Sequence, residues 1–421
     1  MPIFKLFSMS YALYLPFHLQ NKLPGWQQNF ILTNLLKNKT YTNWRKKILT
    51  YSLRRRGKMN IAFDMQFMKS GSMLRGIGRY CHNMIQSITK LNSHHSFFHF
   101  YPDLSGEEKF KNHLQQFLKQ HSIDVFHMVS PFEYFPFIKL ERDWFGSTQV
   151  ATILYDVIPL IFHQIYLTKY ADFYYHILNF IKNSEVIFSI SETTKNDAIS
   201  YAGIDPLKIH VIYGGIEEKF ITPPSIKAPH VLAHHQIHKP YVLFIGNNEF
   251  RKNIFRLLQA FSIINKSLNH KYQLVITSFI VDQGKEILMN IAKNLGISND
   301  VIITGYIPDD DLITLYQSAE LFAFPSLYEG FGLPALEAMA CGTPVLTSNN
   351  SSLSEITGHA AYHVNPFSIE KITNGLMYML ETPSIKKEYI KKGLQHVANY
   401  TWENVGREVL RGYDTLDSPS D

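Results

Sequence analysis

The stretch Pro325-Ser-Leu-Tyr-Glu-Gly-Phe-Gly-Leu-Pro-Ala-Leu-Glu-Ala-Met-Ala-Cys-Gly-Thr-Pro344 decides the fold. An apolar run, Leu321-Phe-Ala-Phe-Pro325, leads into it as a buried strand, and a loop holding Gly330 and Gly332 follows. Proline is favoured where a helix opens and glycine where one ends, so a helix is expected from Pro334 and a stop at Gly342. Strand, glycine loop and helix N-terminus together make an anion site. The glycines let backbone amides approach a ligand, and the helix dipole adds about half a positive charge. Two carboxylates bracket the loop, Glu329 before it and Glu337 one turn into the helix. A carboxylate repels phosphate, so the pair is expected to address hydroxyl groups on either side of it. The plainer alternatives are a first-turn acid for Glu337 and a solvated loop acid for Glu329.

Working outward from this stretch, apolar strand-like runs alternate with helical stretches in both directions. Toward the N-terminus lie Met59-Asn-Ile-Ala-Phe-Asp64, Ile123-Asp-Val-Phe-His127, Gln149-Val-Ala-Thr-Ile-Leu154 and Val186-Ile-Phe-Ser-Ile190, with an amphipathic helix over Tyr170 to Lys182. A second series holds Tyr241-Val-Leu-Phe-Ile-Gly246, Gln273-Leu-Val-Ile-Thr277, Asp300-Val-Ile-Ile-Thr-Gly305 and Thr343-Pro-Val-Leu-Thr-Ser348. Such alternation predicts parallel sheets with helices on both faces. Between the series, Thr222-Pro-Pro-Ser-Ile-Lys-Ala-Pro229 sustains neither helix nor sheet and reads as an interdomain linker.

Candidate chemistry sits where strands meet helices. Gly246-Asn-Asn-Glu-Phe-Arg-Lys-Asn253 follows a strand and precedes a helix. Arg251 and Lys252 at a helix start oppose its dipole, so their placement asks for an anionic partner. Arg75-Gly-Ile-Gly-Arg-Tyr80 also precedes a helix, but it is too short for a dinucleotide fingerprint. Asp156, in Tyr155-Asp-Val-Ile-Pro159, is either a functional carboxylate or a turn cap. His127 reads as a packed histidine, and Ser191-Glu-Thr-Thr194 as a helix cap. His230, His234, His235 and His238 lack carboxylate or thiolate partners in sequence and read as a solvated connection, with no metal expected. Cys341 reads as buried and inert.

Glu329 and Glu337, with seven residues between them in a Glu-Gly-Phe-Gly-Leu-Pro-x-x-Glu-Ala frame, resemble the signature of the GT-B glycosyltransferases of family 4, the group 1 glycosyl transferases. The mannosyltransferase branch is the nearest in appearance. The resemblance spans residues 59 to about 416. It implies an α/β architecture of two Rossmann-like domains facing a cleft. These are an acceptor-side domain over 59–225, a donor-nucleotide domain over 226–402, and a closing helix over 403–416 that packs back on the first. It further implies that Glu337 holds the nucleotide ribose and that Glu329 contacts the donor sugar. The loop of Gly330, Phe331, Gly332 and Leu333 would meet sugar and diphosphate, beside Gly246. Arg251 and Lys252 would bind the diphosphate, and Asn247 stands where many members carry a further arginine. On the acceptor side it points to Gly76, Gly78 and Arg79, and to Asp156 orienting the acceptor hydroxyl, although Tyr155 departs from the usual histidine. It points as well to Ser191-Glu-Thr-Thr194 as a helix start facing the cleft, which a plain N-cap explains equally well.

The implied reaction is retaining transfer of a hexose, mannose favoured, from a nucleoside diphosphate sugar such as GDP-mannose to a glycan or lipid-linked acceptor, without a metal or other cofactor. A sugar-nucleotide epimerase, a phosphorylase and a non-catalytic sugar-nucleotide-binding protein share the architecture and stand as alternatives. On this reading Glu329→Ala stops turnover and leaves folding intact.

Composition sets the outer limits. The 421 residues suffice for two domains with separate cores. Two cysteines, Cys81 and Cys341, make no disulfide framework and suit a reducing, cytoplasmic setting. Eleven of the 41 bases precede Asp64, the first acid, leaving 30 bases against 35 acids in the body. Nucleic-acid binders spread positive charge over a folded face, so nucleic acid is not expected as a partner. The basic, aromatic residues 1–58 read as an anchor lying on the anionic inner face of a membrane, as a disordered tail, or as sequence ahead of a true start at Met59. No run reaches the roughly 18–20 apolar residues of a spanning helix.

Overall fold

The computed structural model describes residues 57–69, 76–91, 93–134, 138–221, 228–277 and 282–416. The chain divides after Gly57, and the unit from Lys58 onward is the one described below. The extension read over 1–58 lies outside the described residues apart from Gly57 and Lys58. Most of the linker, and Arg75 of the first glycine motif, lie outside them as well.

Twelve strands are described in two parallel sheets. The first holds β1 (Asn60–Asp64), β2 (Ser96–Phe100), β3 (Val125–Met128), β4 (Gln149–Leu154), β5 (Val186–Ser189) and β6 (Ile209–Val211), in the order β2-β1-β3-β4-β5-β6. The second holds β7 (Tyr241–Ile245), β8 (Gln273–Thr277), β9 (Val301–Gly305), β10 (Leu321–Phe324), β11 (Val345–Ser348) and β12 (Tyr362–Val364), in the order β12-β11-β10-β7-β8-β9. Helices cover both faces, so the central strands are buried on each side and read as continuous apolar runs. β4, for instance, is buried from Val150 to Leu154.

Six helices matter to the site: α1 (Gly76–Lys90), α2 (Glu192–Ala202), α3 (Ile254–Ser267), α4 (Leu333–Ala340), α5 (Ser351–Thr357) and α6 (Trp402–Tyr413). α4 begins one residue earlier than expected, with Pro334 in its first turn and Gly342 just past its end. α6 returns to the first sheet. Ser87 on α1 donates to the Trp402 carbonyl at 2.6 Å. A Cβ on Gly412 would lie only 2.2 Å from Phe188 on β5. His127 on β3 is fully buried and shares a 2.5 Å hydrogen bond with the Tyr413 hydroxyl. Burial pulls that imidazole down to about 3, so it stays neutral as a packing group.

The strand order reverses once in each sheet, between β1 and β3 and between β7 and β10. In open parallel sheets ligands bind outside the carboxyl ends of strands at such a switch point. The loop after β7 carries Arg251 and Lys252, and the loop after β10 carries Glu329 to Gly332. The topology therefore brings together two motifs about 80 residues apart in sequence.

Candidate active site

Arg251 and Lys252 lie in a 3-10 turn, Phe250–Lys252, closed by Asn253 in the left-handed region at φ 61°. The Asn253 amide donates to the carbonyls of Pro325 and Pro366, both at 2.8 Å, which pins this turn to the loop after β10. The Leu327 N–H donates to the Arg251 carbonyl at 2.7 Å. The two loops are thus one bonded unit, and their side chains meet over it. The Lys252 ammonium donates to Glu329 Oε1 at 2.8 Å, and the Arg251 guanidinium donates to Glu329 Oε2. Arg251 also holds Glu249 at 3.1 Å. The anionic partner demanded by these cations is therefore Glu329.

Burial pushes the Glu329 carboxyl up, but Arg251 and Lys252 together outweigh it and hold it below the usual carboxylate range. Lys252 carries the opposite cost: burial lowers its ammonium against the pull of Glu329. Its stem passes Gly246, where a Cβ would lie 3.5 Å from Lys252 Cδ. Asp156 belongs to the same group. Burial raises its carboxyl and Arg251 opposes the rise, while its Oδ1 accepts from the Ile158 N–H at 3.0 Å. Asp156 is thus both a turn cap and a member of the charged cluster.

Gly330 and Gly332 are glycine for different reasons. A Cβ on Gly330 would lie 2.3 Å from the Tyr155 carbonyl oxygen and 3.0 Å from Asp156 Cβ, so the loop touches the first domain backbone to backbone. Gly332 sits at φ +119°, where side chains are strained, and opens α4. The Phe331 ring is buried near Tyr400 and Gly214. Leu333 is the first residue of α4.

Glu337 is buried at the other end of the loop and is paired from both domains. Tyr316 donates to its Oε2 at 3.0 Å, and Arg79 lies 3.3 Å from its Oε1. Burial raises the Glu337 carboxyl, and Arg79 and Tyr316 oppose that rise. Arg79 also donates to Glu217 at 2.6 Å and stacks over the Phe220 ring at 5.3 Å. Lys219 bridges Glu217 and Asp309 at 2.8 and 2.7 Å. Gly76 and Gly78 open α1 and deliver Arg79, which the structure turns toward Glu337 on the donor side. Ile77 of the same turn lines a separate cavity of about 240 Å³ with Ser130, Glu133, Asp156 and Tyr174. The hydroxyls of Ser130 and Tyr174 make no hydrogen bond there among the described residues.

Tyr316, Glu217, Asp309 and Ser130 were not legible as site residues, because each reaches the site through a long-range approach without a local pattern. His235 lies 3.7 Å from Asp311, and among the described residues no three His, Cys, Asp or Glu side chains gather as metal ligands. Burial pushes the Cys341 thiol up to about 12, so it stays protonated. No helix among the described residues is long and apolar enough to cross a membrane.

Known proteins resemble this chain in sequence and in fold. A family model described as glycosyl transferases group 1 matches residues 233–396, and one described as glycosyltransferase family 4 matches 86–220. Together they span more than half of the chain. The serotype-specific mannosyltransferase WbdA of Escherichia coli is 30% identical over 273 residues, covering 64% of this chain and 34% of that protein. The chain therefore spans about a third of the length of that relative. O-antigen chain mannosyltransferase B of the same organism is 30% identical over 239 residues, 56% of this chain and 62% of the relative. Among solved structures, HepE of Anabaena in complex with UDP-glucose matches with a TM-score of 0.67 at 16% identity, covering 85% of this chain and all of that one. That likeness shows the two-sheet GT-B fold. With one model on each of the two sheet-bearing domains, the chain belongs to the GT-B glycosyltransferases of family 4, the glycosyl transferases of group 1.

Proposed function

We propose that this chain transfers a hexosyl group, mannose by preference, from a nucleoside diphosphate sugar to a hydroxyl of a glycan or lipid-linked acceptor. The setting would be envelope polysaccharide, lipopolysaccharide or glycolipid synthesis. The observation that carries the reading is the pairing of Arg251 and Lys252 with Glu329 beside a glycine loop at the β7/β10 switch point. A diphosphate arriving at the loop amides shares both cations, which frees Glu329 oxygens to accept from sugar hydroxyls. Glu337, one turn into α4, would hold the ribose hydroxyls. The relatives named as mannosyltransferases and the UDP-glucose complex of HepE support the donor class.

In the proposed step the bond from the anomeric carbon to the diphosphate breaks, and its electron pair leaves on the phosphate oxygen. The acceptor oxygen bonds to the anomeric carbon on the same face, and its proton passes to the departing diphosphate. Arg251, Lys252 and the loop amides stabilise the charge that builds on the leaving group, without a resident metal. Each such contact is typically worth about 3–4 kcal/mol. Closure of the two domains excludes water and limits hydrolysis. The cavity beside Asp156, with its carboxylates and hydroxyls, suits a neutral, hydroxyl-rich acceptor end.

Thermal unfolding with GDP, GDP-mannose, UDP, UDP-glucose and NAD, on wild type and Glu337→Ala, tests the donor assignment. One nucleotide family should raise the midpoint by several degrees, and Glu337→Ala should weaken that rise. A response to NAD alone would overturn the reading.

A further inference from the structure

Resting on the transferase reading, we infer that Ser191, Thr194 and Glu355 are positioning residues that let the first domain aim the donor loop of the second. Ser191 was expected to cap α2, and it does: its Oγ accepts from the Thr194 N–H at 2.9 Å. The same hydroxyl donates to the Gly330 carbonyl at 2.8 Å, across 139 residues of sequence. The Thr194 hydroxyl lies 3.2 Å from that carbonyl and 3.2 Å from the Tyr155 carbonyl, so its one proton bridges loop and first domain. Both hydroxyl-bearing residues are fully buried.

The consequence follows from peptide geometry. A trans peptide is planar, with its C=O and N–H pointing in opposite directions. Fixing the Gly330 carbonyl therefore fixes the direction of the Phe331 N–H, and among the described residues that amide has no hydrogen-bond acceptor. α5 holds the loop from the other side. Ser351 Oγ accepts from the Glu329 N–H at 3.3 Å, and Ser352 Oγ lies 2.7 Å from the Glu329 carbonyl and 2.8 Å from the Phe331 carbonyl.

Glu355, also on α5, ties these two supports together. Its carboxylate accepts from the N–H groups of Glu192 and Thr193 at 2.8 and 2.9 Å and from the Thr193 hydroxyl at 2.7 Å. Two of the orphan amides that start α2 are thus satisfied by the opposite domain, where a carboxylate also suits the dipole. Loop, α2 and α5 form a closed triangle, and opening the cleft breaks two of its sides at once. The loop amide is consequently aimed only when the domains are together.

Thr194→Val, nearly isosteric, removes the hydroxyl, Glu355→Ala removes the tie, and Thr194→Ser restores the hydroxyl. Amide hydrogen exchange across residues 326–334 of the ligand-free chain should quicken in the first two variants and return to wild type in the third. With substrates, the first two should lose about tenfold in kcat, a misaimed donor being milder than a deleted one. Their donor KM should change much less, and donor hydrolysis should rise relative to transfer. Wild-type exchange in both Thr194→Val and Glu355→Ala would overturn the inference. A wild-type chain without transfer activity would instead overturn the transferase reading, with the exchange result still deciding the link.

Discussion

Replacing Glu329 by glutamine keeps the shape of the side chain and removes the charge that satisfies both Arg251 and Lys252. At the observed 2.8 Å, a lysine–carboxylate pair is worth about 6 kcal/mol of attraction at an effective dielectric of 20. Arg251 keeps Glu249 at 3.1 Å and retains some solvent contact, so its share of the loss is small. Among the described residues Lys252 makes no second ion pair, and its side chain is only 16% exposed. Breaking a buried pair on one side typically costs 3–5 kcal/mol, and about 3 fits this partly shared geometry. At about 2 °C per kcal/mol for a chain of this size, the unfolding midpoint of Glu329→Gln should fall by about 6 °C. This revises the sequence-based expectation that folding survives loss of Glu329 intact. A nucleoside diphosphate brings back the missing negative charge, so its stabilising shift should be larger in the variant than in wild type. Differential scanning fluorimetry with and without GDP or UDP reads both effects. A midpoint within about 1 °C of wild type, or a smaller nucleotide shift in the variant, would refute the account of these cations.

Arg79→Met should leave Glu337 with Tyr316 as its remaining partner, and the carboxyl, already raised by burial, should rise further. Donor KM should then climb more steeply than in wild type as pH falls from 8 to 6, and superimposable profiles would count against the pairing. Burial lifts the Asp64 carboxyl to about 7, while its Oδ1 accepts from the Gln66 N–H at 3.0 Å. Between about pH 4 and 7 the unfolded chain releases a proton that the folded chain keeps, so folding loses up to about 4 kcal/mol as pH rises. Asp64→Asn should therefore be the more stable protein at pH 8, with the gap closing toward pH 4 in denaturant titrations. A pH-independent gap would sink the assignment. Gly330→Ala forces a Cβ to within 2.3 Å of the Tyr155 carbonyl, so an overpacking cost of about 1–3 kcal/mol and loss of the nucleotide-induced thermal shift are expected.

The central strands were readable because both their faces are buried, which writes them as apolar runs such as Tyr241–Ile245 and Leu321–Phe324. Of the four edge strands only β9 was readable, as Asp300–Gly305. β2 is mostly half-exposed, and β6 and β12 have only three residues each, with one buried apiece. Three-residue segments carry little apolar signal, while β2 escaped the reading although it holds Phe97, Phe98 and Phe100. In the site, the glycine loop, both glutamates and the Arg-Lys pair were legible because strand, turn and helix signals surround them. Their pairing was not, since Lys252 and Glu329 are 77 residues apart and meet only through the β7/β10 neighbourhood. Ser191 shows the limit most directly: its context reads equally as a plain cap or as a helix start facing the cleft, and its bond to Gly330 is written in neither.

The return of α6 to the first sheet has a consequence for how the protein is made. Tyr413 and Gly412 complete the packing around His127 and Phe188, yet about 190 residues are synthesised between β6 and α6. At about 5–20 residues per second, the ribosome takes roughly 10–40 s to cover that distance. During this interval the second domain is synthesised, while the first waits with the apolar surface that α6 covers still bare. The domain translated earlier is therefore the one that finishes later, and it is the one a chaperone has reason to hold.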